Sequence, residues 1–218
     1  MLLVLASDYD PRGPLLRDRW ASGGARLMTP GDLQRPGWRH EPARPLAGTA
    51  VAGGQPLAVA SITGVCSLLS CVLDTDVPSI RPEDRTYVAA EMTAFLCAWL
   101  SSLPCPVLNR PSPSCLCGPP WGPERWLHAA VQAALPARAA PRRETTAVTV
   151  VGHRAFGAAA AAQCELALRL AEFSGVPLLR VLLAGPASAP VVAGADVWVD
   201  VQGDGVADAI SDLLLEAP

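Results

Sequence analysis

With 218 residues, half of them hydrophobic and 17% charged, the chain is long enough for one large α/β domain or two small ones. It is too apolar to be disordered. A net charge of −3 gives no general attraction to nucleic-acid backbones or anionic lipid, and no apolar run reaches the roughly 18–20 residues of a membrane helix. All 17 basic residues are arginine, so Schiff-base chemistry and a lysine-bearing phosphate loop are both excluded.

The opening run MLLVLA is followed at once by two aspartates, in SDYDP. It lacks the basic flank and length of an export signal and is expected to be a buried first strand, Leu2 to Ala6, ending in the loop Ser7–Gly13. Pro14 to Ser22 suits a short helix with Leu15, Leu16 and Trp20 near one face. Gly23-Gly24 stops it, and ARLM begins a second strand. This is a β-α-β opening. Residues 30–60 are rich in Pro, Gly and Arg and suggest weak strands, with an edge hairpin turning at Gly53-Gly54.

The clearest helix is Pro82 to Leu103. Val88, Met92, Phe95, Leu96, Trp99 and Leu103 fall on one face, and Pro104 ends it. In PVLNRPSPSCLCGPPWGPERW the prolines forbid a central strand, although Val107-Leu108-Asn109 allows a short one. A helix restarts at Pro123 and runs to Leu135, with Trp121 and Trp126 placed for a hydrophobic staple. PARAAPRRE, residues 136–144, is a linker. Thr145 to Val151 is a β-branched strand that Gly152-His153 turns back into RAFGA. Ala159 to Ser174 is a helix with Leu166, Leu170 and Phe173 on one face. VPLLRVLLAG is a buried strand, DVWVDVQ (196–202) an alternating one, and VADAISDLLLEA a closing helix.

Taken in order, these pieces resemble the ATP-grasp ligases, in the branch of glutamate ligases and ligases that macrocyclise ribosomal peptides. Leu103-Pro104-Cys105-Pro106-Val107-Leu108-Asn109-Arg110-Pro111 is similar to the family's "lp…vlNrp" phrase after the long helix. TTAVTVVGHRAFGA is similar to its hairpin, and VADAISDLLLEA to its last helix. The resemblance implies an α/β fold: a pre-grasp-like β-α-β N-terminal domain at 1–135, then a small α+β remnant of the ATP-grasp domain at 145–218. Family members carry a nucleotide-binding subdomain and a glycine-rich lid between the two blocks, where this chain has only residues 136–144. The family's phosphate-holding lysines have no counterpart. Its magnesium-binding "E-v-N" is echoed by Asp200-Val201-Gln202, a remnant short of the carboxylates magnesium needs. The resemblance therefore implies a shortened, non-catalytic relative with no cofactor. Its expected role is to hold a peptide or a partner enzyme in bacterial peptide modification, and pre-grasp domains make a homodimer plausible. The alternative is an enzyme with residual ligase activity or with chemistry based on cysteine or metal.

The candidate contact residues are few, and none is assigned as catalytic. Asp8 and Asp10 lie at the end of the first strand, where open α/β sheets bind ligands, or are simply solvated loop acids. Asn109 and Arg110 either touch a ligand or cap a turn and form a salt bridge. Cys115-Leu116-Cys117 has the composition of half a thiolate metal site, but the spacing is shorter than zinc sites use, and a structural loop fits as well. The seven cysteines, odd in number and irregularly spaced, suggest reduced thiols in a cytoplasm. His40, His128 and His153 belong to no legible catalytic arrangement.

Overall fold

The computed structural model describes residues 1–203 and 205–216. They fall into two compact units, one formed by residues 1–118 with the C-terminal residues from 214, the other by residues 119–213. No described helix is long and apolar enough to cross a membrane.

The first unit is built on a parallel sheet. Strand β1 (Leu2–Leu5) leads through helix α1 (Arg12–Arg19) to β2 (Arg26–Met28), the expected β-α-β start. The short helix α2 (Pro30–Leu33) and the hairpin β3 (Thr49–Ala52) and β4 (Gln55–Ala58) follow. Gly53 and Gly54 both have positive φ, 60° and 74°, and the register closes Ala52 onto Gln55. That is the two-residue turn whose twist matches a hairpin. Strand β5 (Gly64–Ser67), helix α3 (Arg85–Ser102) and β6 (Val107–Leu108) complete the unit. The sheet order is β2-β1-β5-β6, with Leu3 opposite Arg26 on one side and Val65 on the other.

Strand β5, the neighbour of β1, carries no signal in the sequence. It has four residues, Gly-Val-Cys-Ser, all buried, and a strand covered on both faces shows no alternation. Helix α3 starts at Arg85, with Asp84 as its cap, so Pro82 precedes the helix instead of opening it. Leu96 and Trp99 are buried as expected, along with Leu100. Phe95 is only half-buried, and its ring meets Trp38 edge-on at 5.3 Å. Trp38 also meets Trp99 edge-on at 5.4 Å.

The second unit opens with helix α4 (Pro123–Gln132) and continues with β7 (Thr145–Val151), β8 (Arg154–Phe156), α5 (Ala161–Ser174), β9 (Leu178–Ala184) and β10 (Val191–Asp196). Its sheet is antiparallel, in the order β10-β9-β7-β8. Helix α6 (Val206–Glu216) closes the chain; the expected last residue, Ala217, lies outside the described residues. Packing divides the chain at Gly118–Pro119, whereas the sequence suggested residues 136–144, because α4 shares a core with the second sheet. Trp126, Ala129 and Ala130 pack there with Val148, Leu170, Val181 and Val192. Residues 136–144 are also tied down: Val192 N–H donates to the Pro136 carbonyl at 2.8 Å, and Arg138 N–H to the Val192 carbonyl at 2.9 Å.

Two sequence expectations need correction here. The strand at the end of the second sheet is Val191–Asp196, and residues 197–203 form no strand. Val199 and Val201 are buried while Trp198, Asp200 and Gln202 are exposed, so the alternation is real but arises without a ladder partner. On α5 the buried face is Gln163, Ala167, Leu170 and Ala171, and Phe173 is exposed. The small side chains Ala167 and Ala171 carry the buried face, and Phe173 falls outside it by helical phase.

Candidate functional site at the end of the parallel sheet

In a parallel sheet every strand ends at the same edge, so the loops that follow gather there. After β1 comes the loop bearing Ser7, Asp8 and Asp10. Asp10 accepts hydrogen bonds from the Arg12 backbone N–H at 3.0 Å and from its guanidinium, with Nη2 at 2.7 Å. Burial works against the charged form of Asp10, but these bonds outweigh it and hold the carboxyl below its ordinary value. The same hydrogen bond raises Arg12. Ser7 Oγ donates to Asp76 at 2.9 Å, and Asp76 also accepts the Leu73 N–H at 2.8 Å.

After β6 comes Asn109, 4% exposed, whose Nδ2 donates to the Cys117 carbonyl at 3.4 Å. Gly118 lies against it with φ of 113°; a Cβ there would sit 2.8 Å from the Asn109 Cβ. Asn109 is thus a packed part of this loop. Arg110 is exposed and reaches back to the Cys105 carbonyl at 3.5 Å.

The loop 112–118 is stitched by Ser112 N–H to Cys115 O at 2.8 Å, Cys115 N–H to Ser112 O at 3.2 Å and Leu116 N–H to Ser70 O at 2.8 Å. It holds the Sγ atoms of Cys115 and Cys117 3.6 Å apart, both buried. The Cys117 thiol, by hydrogen bonding, draws Cys115 down to about 6. Cys117 itself is pushed up by that bond and by burial. Cys66, on β5, is fully buried, and burial pushes its thiol up to about 12. The positive charge of Arg12 acts on both Cys66 and Cys117.

The structure therefore brings Asp10 with Arg12, and Asn109 with Cys115 and Cys117, to one edge, and leaves Asp8, Asp200 and Gln202 apart. Asp8 is exposed and lines a separate basin of about 430 Å³ with Arg17, Arg26, Arg35 and Asp32. Asp32 is a buried carboxylate that accepts the N–H groups of Thr29, Gly53 and Gly54. Asp200 and Gln202 belong to the second unit. There Asp200 Oδ1 accepts the Gln202 N–H at 2.9 Å, a local turn in place of the expected strand. The carboxylate that does sit on the last strand is Asp196, directly opposite Arg180. Arg180 grips it through Nε at 3.0 Å and Nη2 at 2.7 Å. Among the described residues no three His, Cys, Asp or Glu side chains are placed to hold a metal ion together. Near α4, Trp121 precedes the cap Gly122 and packs against Trp126 with ring centroids 4.6 Å apart and planes tilted by 54°, the staple expected from sequence.

Sequence reasoning missed Arg12, Cys66, Asp196 and Arg180. Arg12 was within reach, two residues after Asp10 in a loop that ends a strand. Cys66 was hidden with its strand, and the Arg180–Asp196 pair becomes visible only when β10 is placed correctly.

No protein-family model and no curated protein matches the chain. Solved structures do. The macrocyclase MdnC from Microcystis aeruginosa, bound with precursor peptide MdnA, aligns with a TM-score of 0.72 at 11% identity, over 99% of both chains. A RimK domain ATP-grasp protein from Sphaerobacter thermophilus aligns with a TM-score of 0.57 at 16% identity, over 99% of this chain and 100% of that one. A RiPP-associated ATP-grasp ligase from Chryseobacterium gregarium, in complex with ADP and a leader and core peptide, gives 0.65 at 10% identity, over 100% and 97%. Along nearly its whole length, then, the chain has the fold of the ATP-grasp ligases.

Proposed function

We propose that this chain is an ATP-grasp-fold protein without nucleotide chemistry. It serves a bacterial peptide-modification pathway as a cytoplasmic accessory that holds a peptide or a partner enzyme, as a homodimer. The peptide part of the reading draws on the neighbours, since MdnC and the Chryseobacterium ligase were both solved with precursor peptides.

The observation that carries the non-catalytic part is the state of β10. A magnesium-nucleotide site needs one or two carboxylates free to converge with the substrate phosphates. Here the one carboxylate on that strand is already neutralised by Arg180, while Asp200 is turned into a local hydrogen bond. Two further facts point the same way. Residues 136–144 run directly from α4 to β7 and are bonded to β10, which leaves no chain for a subdomain or lid. There is also no lysine to hold phosphate.

Titration calorimetry with magnesium-ATP tests this reading. No heat of binding is expected up to millimolar nucleotide. Micromolar affinity would refute it and favour residual ligase activity.

A further inference from the structure

The two sulfurs in the loop 112–118 play no part in that reading, and their surroundings differ. Cys115 lines a cavity of about 490 Å³ bounded by α3, residues 71–74 and residues 112–116. Its rim residues Leu73, Asp74, Thr86, Ala90 and Pro113 are exposed, while Cys115 and Leu116 are buried. Cys117 does not line the cavity; its neighbours are Cys115, the Asn109 amide and the charge of Arg12. A small molecule entering the cavity therefore meets Cys115, and Cys117 is met only through Cys115.

The hydrogen bonds to Ser112 and Ser70 hold the backbone of Cys115 and Leu116, and the two Sγ atoms stand 3.6 Å apart. A structural zinc site needs four ligands at tetrahedral positions, and among the described residues no third ligand joins the pair. The chemistry open to two such sulfurs is with one another. Closing them to a disulfide length of about 2.05 Å requires a movement of about 1.5 Å, within reach of side-chain rotation.

We propose that Cys115 and Cys117 form a thiol–disulfide exchange centre, with Cys115 attacking and Cys117 resolving, that reduces small disulfides entering the cavity. The Cys115 thiolate attacks one sulfur of the incoming disulfide. A bond forms from Cys115 Sγ to that sulfur, the disulfide breaks, and one thiolate leaves. Cys117 then gives up its proton to the departed thiolate and attacks Cys115 Sγ. The Sγ–Sγ bond forms and the second thiolate leaves, to be protonated by water. The incoming disulfide is reduced to two thiols, and the cysteine pair is oxidised by the same two electrons.

The protonation pattern fits these roles. The hydrogen bond from Cys117 lowers Cys115 and favours its thiolate, so of the two sulfurs the one beside the cavity ionises first. Cys117 stays protonated until Cys115 has reacted, because the neighbouring thiolate and burial oppose its ionisation. An attacking thiol poised near ambient pH is the efficient one.

The test uses the reduced full chain and oxidised glutathione, acid-quenched and read by intact mass and peptide mapping. Wild-type protein should lose two hydrogens, gain a Cys115–Cys117 link and retain no glutathione. Cys117→Ser should accumulate a glutathione adduct at Cys115, and Cys115→Ser should leave Cys117 unmodified. The wild-type rate should rise with pH through about 6 and level off before pH 8, where an ordinary thiol of value 9.0 would still be accelerating. The proposal is overturned if wild-type protein keeps a stable adduct at Cys115 or shows no internal link. It is equally overturned if only Cys71 and Cys97, the cavity's other thiols, are modified. The wild-type product map decides even if a variant fails to fold.

Discussion

In the first unit three of the four parallel strands, β1, β5 and β6, deliver Asp10, Arg12, Cys66 and Asn109 to a single edge. In the second, antiparallel strands set Arg180 and Asp196 opposite each other on β9 and β10. A parallel sheet collects polar groups from distant parts of the chain, and they must then be satisfied by loops. An antiparallel pair can satisfy them across the ladder itself. Both solutions leave few groups idle, but they differ in reactivity. The cross-strand pair in the second unit neutralises its charges. The loop-held edge of the first keeps a low-value thiol beside a cavity.

This contrast fails most directly if α3 does not hold the parallel sheet together. Trp99 is 1% exposed and packs in the core with Leu96, Leu100, Leu3 and Val65. Trp99→Ala should cost about 3–5 kcal/mol in urea unfolding. Phe95→Ala should cost only about 1–2 kcal/mol, because Phe95 is half-buried and full burial of such a ring is worth about 1.5–3 kcal/mol. Equal costs for the two would mean that α3 is rotated on the sheet.

Next in size is the buried thiol at the parallel edge. Cys66 has a folded value of about 12 against an ordinary 9.0. A raised value means that its stabilising contribution is complete below pH 9 and is lost as pH climbs toward 12. Three units correspond to at most about 4 kcal/mol. Urea midpoints measured at pH 8 and pH 11 should therefore fall more steeply in wild-type protein than in Cys66→Ala. Parallel pH profiles for the two would place Cys66 in contact with solvent and remove it from the edge.

How much of this was legible in the sequence depends on burial. The β-α-β start, the Gly53-Gly54 hairpin, the long helix α3, the Trp121–Trp126 staple and strand β7 all carry local chemistry: glycines at positive φ, an apolar face, a cap. Strands β5 and β10 carry none. Both are short and covered on both faces, and β10 contains Gly194 at a register shift, so period-two patterning is absent where the strand is and present just beyond it. The site divides in the same way. Asp10 and Asn109 stand out in the sequence because they follow recognisable elements. Arg180 and Asp196 become partners only through a strand pairing that spacing does not reveal.

That misplaced strand gives the smallest and most discriminating prediction. Asp200 and Gln202 echo the family's metal-binding pair in sequence, yet Asp200 is exposed and its visible task is to accept the Gln202 N–H. An asparagine can accept the same bond with its own Oδ1, so Asp200→Asn should change stability by less than about 0.5 kcal/mol, the range of ordinary surface substitutions. The informative comparison adds magnesium chloride. If Asp200 is only a turn residue, magnesium leaves the melting temperature of wild-type and Asp200→Asn proteins alike. If Asp200 keeps a metal role, magnesium stabilises the wild type by mass action and not the variant. That second outcome would mean the antiparallel unit has not neutralised its carboxylates, and the contrast between the two sheets would no longer hold.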